Sequence, residues 1–207
     1  MVFTKNKINQ LLLLLLFIFY SHNLLGNCIS GNCDNGFGTW QSENYKYIGQ
    51  FKNSLFNGQG TTMFDNGDSH VGTYKDDLFN GFGTYLYDDG DKYIGNFLDD
   101  QFHGQGIYTY SDGDIYEGEY KYDKKNGYGV YLFLDGDRYE GEWKEGKYHG
   151  LGKYTYANGE VYEGIFENDE YVSENIGYSN NKNSNFLEDF FEIELSQKTI
   201  KEFIENS

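Results

Sequence analysis

The sequence predicts an all-β chain: an elongated, single-layer antiparallel meander of hairpins, followed by a C-terminal amphipathic helical segment. Three observations carry this. A tyrosine position recurs every 23 residues, at Tyr47, His70 (in place of tyrosine), Tyr93, Tyr116, Tyr139 and Tyr162. Each is followed at two-residue intervals by a glycine and then a ring, as in Gly95-x-Phe97 and Gly141-x-Trp143. Period-2 patterning is a strand signal. The composition agrees: of 207 residues 27 are glycine, none is proline and 19% are aromatic. Ala157 is the single alanine, which disfavours a helix-rich domain.

Residues 1–27 read as an export signal peptide. Lys5 and Lys7 form a short positive region, and Leu11 to Tyr20 is an unbroken apolar run. That run would cross only about half a bilayer as a helix. The predicted destination is the cell envelope or the medium. Two readings of the cleavage site stay open. Leu24-Leu25-Gly26-Asn27-Cys28 resembles a bacterial lipobox, which would make Cys28 a lipidated N-terminus. Cleavage after Gly26 would instead leave Cys28 free to pair with Cys33, since export favours oxidised thiols.

Residues 28–46 read as an N-terminal cap with a half repeat, and residues 47–172 as the repeat domain. Five full units run from Tyr47 to Val161, with half units at Asn35–Trp40 and Tyr162–Phe166. Each unit holds a Gly-x-Gly pair (Gly104/Gly106 in the third), two aromatic-favouring positions (Tyr108 and Tyr110) and a turn glycine (Gly113). In the first unit the earlier aromatic position holds Thr62. Pairing the strands antiparallel sets Tyr93 against Tyr108, Gly95 against Gly106 and Phe97 against Gly104. The next hairpin then sets Tyr110 against Tyr116 and Tyr108 against Gly118. All the rings and glycines share one face, which a one-residue slip would destroy. Asp-Gly and Asn-Gly pairs suit the turns. At about 4.8 Å per strand, about ten to twelve strands give a sheet roughly 50–60 Å long.

Residues 173–185 are rich in Asn and Ser and read as a linker. Residues 186–207 set Phe186, Phe190, Phe191, Ile200, Phe203 and Ile204 among charges, as an amphipathic helical tail does. Such a tail would cap an open sheet edge or dock on a partner.

The unit Y-x-G-x-[FWY]-x(6)-[NH]-G-x-G-x-x-x-[YF] resembles the MORN (membrane occupation and recognition nexus) repeat. The cleanest copy runs from Tyr139-Glu140-Gly141-Glu142-Trp143 to His149-Gly150-Leu151-Gly152-Lys153-Tyr154. The resemblance extends from Asn35 to Phe166, about two thirds of the chain. It implies a single-layer meander, scaffolding, protein–protein contact and membrane association.

Charge and motifs narrow the function. A net charge of −17 excludes a nucleic-acid binder, which needs a basic face. Loss of residues 1–27 removes two lysines and no acid, so direct binding to anionic lipid is disfavoured. A membrane association would then come from a lipid anchor on Cys28. His103 and His149 stand at a turn position held elsewhere by asparagine, and two cysteines alone make no zinc site. The Gly-x-Gly pairs precede no helix, so they are not phosphate loops. No cluster breaking the repeat is legible within residues 47–161, so neither an enzyme nor a cofactor is expected. Tyr93, Phe97, Tyr108, Tyr116, Tyr120, Tyr131, Tyr139, Trp143 and Tyr154 are expected to be both the structural spine and the binding stripe, with a protein segment, a glycan or no ligand on it. The resulting expectation is an exported, non-enzymatic scaffold or protein-binding module, tethered through Cys28 if that residue is lipidated. The alternative is a surface protein that binds calcium or a glycan. It would use the turn carboxylates Asp68, Asp91, Asp114, Asp137 and Glu160 for calcium, or the aromatic stripe for a glycan.

Overall fold

The structure, a computed structural model, describes residues 26–174. The expected tail, and all but two residues each of the expected signal peptide and linker, lie outside them. Ser173 and Glu174, expected in the linker, belong instead to the last strand.

The described residues form one sheet of 14 antiparallel strands in sequence order. The strands are β1 (Asn27–Gly31), β2 (Gly36–Gln41), β3 (Tyr45–Lys52), β4 (Leu55–Phe64), β5 (Ser69–Lys75), β6 (Leu78–Leu86) and β7 (Lys92–Leu98). They continue as β8 (Gln101–Thr109), β9 (Ile115–Lys121), β10 (Lys124–Leu132), β11 (Arg138–Lys144), β12 (Lys147–Thr155), β13 (Val161–Glu167) and β14 (Glu170–Glu174). The count exceeds the expected ten to twelve because strands also form in the cysteine segment and beyond the last half unit.

Two turn types alternate. Within a unit the hairpin closes through two residues with positive φ, such as Asp99 (49°) and Asp100 (67°). That geometry matches the strand twist, and Asn and Asp tolerate it. Between units a wider turn closes on itself: the Tyr110 N–H donates to Asp114 O at 2.9 Å and the Gly113 N–H to Tyr110 O at 3.0 Å.

These turns correct the expected register at two places. Tyr93 faces Tyr108 and Gly95 faces Gly106, as expected, but Phe97 faces Phe102 rather than Gly104. The tight Asp99-Asp100 turn sets a shorter pairing, and a bulge opposite Asn96 absorbs the difference. In the next hairpin Tyr116 faces Tyr108 rather than Tyr110. Its turn closes earlier than the expected pairing allows. A displacement of two residues keeps every side chain on its face.

The core is a one-sided aromatic spine. Tyr47, Tyr93, Tyr116 and Tyr139 are fully buried, and Phe51, Phe97, Tyr120, Trp143 and Phe166 nearly so. Each of these four tyrosines lies over a cross-strand glycine pair. A Cβ built at Gly106 would come within 2.5 Å of the Tyr93 ring, so the pair must be free of side chains. The Tyr93 hydroxyl then reaches Asn96 O at 2.9 Å.

Candidate functional site

Six residues of the expected binding stripe, Tyr93, Phe97, Tyr116, Tyr120, Tyr139 and Trp143, are core residues. Phe102 stacks on Tyr93 at 3.7 Å and Tyr148 on Tyr139 at 3.8 Å, while Phe97 and Trp143 meet those tyrosines edge-on. Tyr108, Tyr131 and Tyr154 are partly buried at the spine's margin. Their hydroxyls donate to the turn carboxylates of Asp91, Asp114 and Asp137 at 2.6, 2.7 and 2.8 Å.

The carboxylate row is therefore engaged within the sheet. Asp68, Asp91, Asp114 and Asp137 each take a tyrosine hydroxyl on one oxygen. Their other oxygens accept the N–H groups of Asp88, Ser111, Leu134 and Ala157 at 2.8–2.9 Å. The hydrogen bond from Tyr108 holds the Asp91 carboxyl below its usual range. Among the described residues no three His, Cys, Asp or Glu side chains gather as a metal site.

A cluster that breaks the repeat does exist, contrary to expectation, and it spans the end of the cap and the first two units. Thr62 stands where later units hold Tyr85, Tyr108, Tyr131 and Tyr154. His70 stands for a leading tyrosine, and Tyr45 for the turn aspartate. Thr62 and His70 face each other across β4 and β5. Both reach the Tyr74 hydroxyl, Thr62 Oγ1 at 2.7 Å and His70 Nδ1 at 2.9 Å. All three side chains are buried, and His70 Nε2 has no partner. Burial pushes the His70 pKa down to about 4, so the ring is neutral at pH 7. The signal was present in the sequence, as exceptions in aligned columns. Their meeting becomes visible only with the register.

A threonine where a tyrosine ring belongs leaves space. A cavity of about 570 Å³ opens there, walled by Trp40, Tyr45, Phe56, Phe64 and Phe79. Thr62 and Tyr74 also line it, together with the exposed Ser54, Asp77 and Asp100. Asp77 and Asp100 each hold one oxygen on a backbone N–H, of Phe56 and Phe79 respectively, both at 2.7 Å.

At the N-terminal edge Cys28 and Cys33 form a disulfide with an S–S distance of 2.05 Å. It ties β1 to the segment leading into β2, and it occupies the sulfur that a lipid anchor would need.

Comparison with known proteins agrees with the repeat. The family model described as MORN repeat matches residues 47–69, 70–92, 93–115, 116–138 and 139–161. No curated protein matches the chain. Among solved structures, the SAS-4 TCP domain of Drosophila melanogaster, in complex with a proline-rich motif of Ana2, is 9% identical with a TM-score of 0.38. That match covers 69% of this chain and 90% of the other. Virginiamycin B lyase from Staphylococcus aureus is 11% identical with a TM-score of 0.19, covering 67% and 58% of the two chains. A streptogramin B lyase is 13% identical with a TM-score of 0.19, covering 70% and 60%. Likeness this remote transfers nothing to this chain. The repeat is a non-catalytic scaffold module, and with five consecutive copies in phase over residues 47–161 the chain belongs to the MORN repeat family.

Proposed function

We propose that this protein is an exported, non-enzymatic binding module that takes a glycan in the aromatic cavity at its cap and first units. One observation carries the reading: ring faces and carboxylates share an open cavity where three repeat positions depart together. A volume near 570 Å³ falls within the range of about 300–1,000 Å³ usual for small-ligand sites. Sugar C–H faces stack on rings such as Trp40 and Phe79. Sugar hydroxyls donate to Asp77 and Asp100, each of which has a second carboxylate oxygen to offer. The disulfide supports an oxidising compartment and therefore export.

A protein segment is the second reading. Scaffolding is the general role of the repeat, and the aromatic face runs the length of the sheet. Calcium is supported less well, because the turn carboxylates already hold tyrosines and backbone N–H groups. Tethering through Cys28 is also supported less well, because its sulfur is in the disulfide.

Thr62→Tyr restores the repeat residue and fills the cavity without disturbing the other units. Calorimetric titration of the wild-type chain against a panel of neutral oligosaccharides is expected to give saturable binding. Folded Thr62→Tyr is expected to lose it at least tenfold. Equal binding by both chains would remove the cavity from the account. Failure of the whole panel, with binding of a peptide, would favour the second reading.

A further inference from the structure

The fourth unit carries a second departure from the repeat, remote from the cavity and independent of what fills it. In the other units a ring stacks on the leading residue: Phe56 on Tyr47, Phe79 on His70, Phe102 on Tyr93 and Tyr148 on Tyr139, at 3.7–3.8 Å. In the fourth unit that ring is replaced by Lys125. Its Nζ lies over four rings at once: 4.2 Å from the centroid of Tyr131, 5.0 Å from Trp143, 5.1 Å from Tyr116 and 5.4 Å from Tyr110.

Two neighbouring positions change with it. Trp143 is the only indole in a column otherwise made of Phe51, Tyr74, Phe97, Tyr120 and Phe166, and indole is the strongest cation–π partner. Gly146 replaces the aspartate that in the neighbouring units accepts the backbone N–H of the stacked residue, as Asp123 does for Phe102 and Asp169 for Tyr148. Lys125 is partly buried. Asp114 and Asp169 add negative potential there, while burial pulls the amine down to about 8. At pH 7 the occupant is still an ammonium.

We propose that Tyr110, Tyr116, Tyr131 and Trp143 form a recognition cage for a trimethylammonium group, with Lys125 as its built-in competitor. A methylated ammonium suits such a cage better than a primary one, because it gives up less hydration on entering. Lys125 lowers the apparent affinity by the fraction of time it occupies the cage. The group could belong to free choline or to a phosphocholine headgroup.

The test uses the full chain carrying Trp40→Phe, so that Trp143 is the only fluorescent indole. Choline chloride is expected to change Trp143 emission saturably in the Lys125→Ala variant. Wild-type Lys125 is expected to bind at least tenfold more weakly. Lys125→Phe restores the regular ring stack and is expected not to bind. Phosphatidylcholine vesicles form the second arm. A response to vesicles but not to free choline assigns the group to a headgroup. Silence of folded Lys125→Ala toward both, or equal binding by Lys125→Phe, overturns the proposal. Should Lys125→Ala fail to fold, reductive 13C-methylation of the wild-type lysines gives an independent reading. One dimethyl-lysine resonance is expected to be shifted strongly upfield by the rings and to vanish in Lys125→Phe. Its absence from the wild-type spectrum overturns the proposal.

Discussion

The Tyr108 hydroxyl donates to Asp91 at 2.6 Å, and the other oxygen of the same carboxylate accepts the Ser111 N–H at 2.8 Å. Asp91 belongs to the turn that ends the second unit, while Tyr108 and Ser111 belong to the third. One carboxylate therefore ties each unit to the next, and the arrangement recurs at Asp68, Asp114 and Asp137. In a one-layer sheet, where each strand touches mainly its neighbours, such links set the stability of every junction.

Asp91→Ala is expected to cost about 1–3 kcal/mol, since it leaves a hydroxyl and an N–H without their acceptor. Asp91→Asn keeps one acceptor oxygen and is expected to cost less. Urea unfolding of the three chains checks the order. The loss should concentrate at the junction between the second and third units, seen as faster amide exchange in β7 to β9.

Gly106→Ala is expected to destabilise the fold by about 1–3 kcal/mol, the range for overpacking a tight core. The added methyl meets the Tyr93 ring, which is fixed by its own hydrogen bond. Thermal unfolding gives the measurement. Gly106→Ala combined with Tyr93→Leu should recover part of the loss.

Acid is expected to weaken the first two units through His70. Its folded pKa is about 4, below the ordinary 6.5. The stability linked to it is complete above pH 6.5 and is lost as pH falls through 4. The full shift corresponds to about 3 kcal/mol. His70→Tyr matches the Tyr116–Tyr120 pairing of the fourth unit and removes the titrating group. Urea midpoints at pH 7 and pH 4.5 should differ less in His70→Tyr than in the wild type.

Millimolar calcium is expected to leave the melting temperature unchanged, because the turn carboxylates already have partners. A calcium-dependent rise that Asp114→Asn reduces would reopen the calcium reading.

Reduction of Cys28–Cys33 is expected to release β1 while β3 to β13 stay paired. The bridge closes a short loop, with a sequence separation of five, for which the chain-entropy estimate is about 2 kcal/mol. Amide exchange with and without reductant should show protection lost at residues 27–41 and retained at Tyr93–Tyr154.

The residues that were legible in the sequence are those held in columns. Tyr93, Gly95 and Phe97 share a face because strand side chains alternate with period 2, and no pairing detail is needed to see it. The same parity concealed the two-residue displacement of Tyr116 from Tyr110 to Tyr108. The bulge opposite Asn96 was not legible because the turn at Asp99-Asp100 sets it, through a choice of positive φ that the sequence allows but does not compel. β1 lies outside the columns and carried no repeat signal, and β14 keeps only Tyr171, in the column of Phe102 and Tyr148. Thr62 and His70 were visible as exceptions. Their contact through Tyr74, and the cavity beside them, depend on register and ring volume in three dimensions.

The most direct test of the account is chemical-shift mapping of the wild-type chain with an oligosaccharide that binds. The prediction is a compact set of perturbed residues around Trp40, Phe56, Phe64, Phe79 and Asp100, with Tyr139, Trp143 and Tyr154 unmoved. Perturbation centred on Tyr93 to Tyr154, or spread evenly along the sheet, would contradict a ligand site in the first two units.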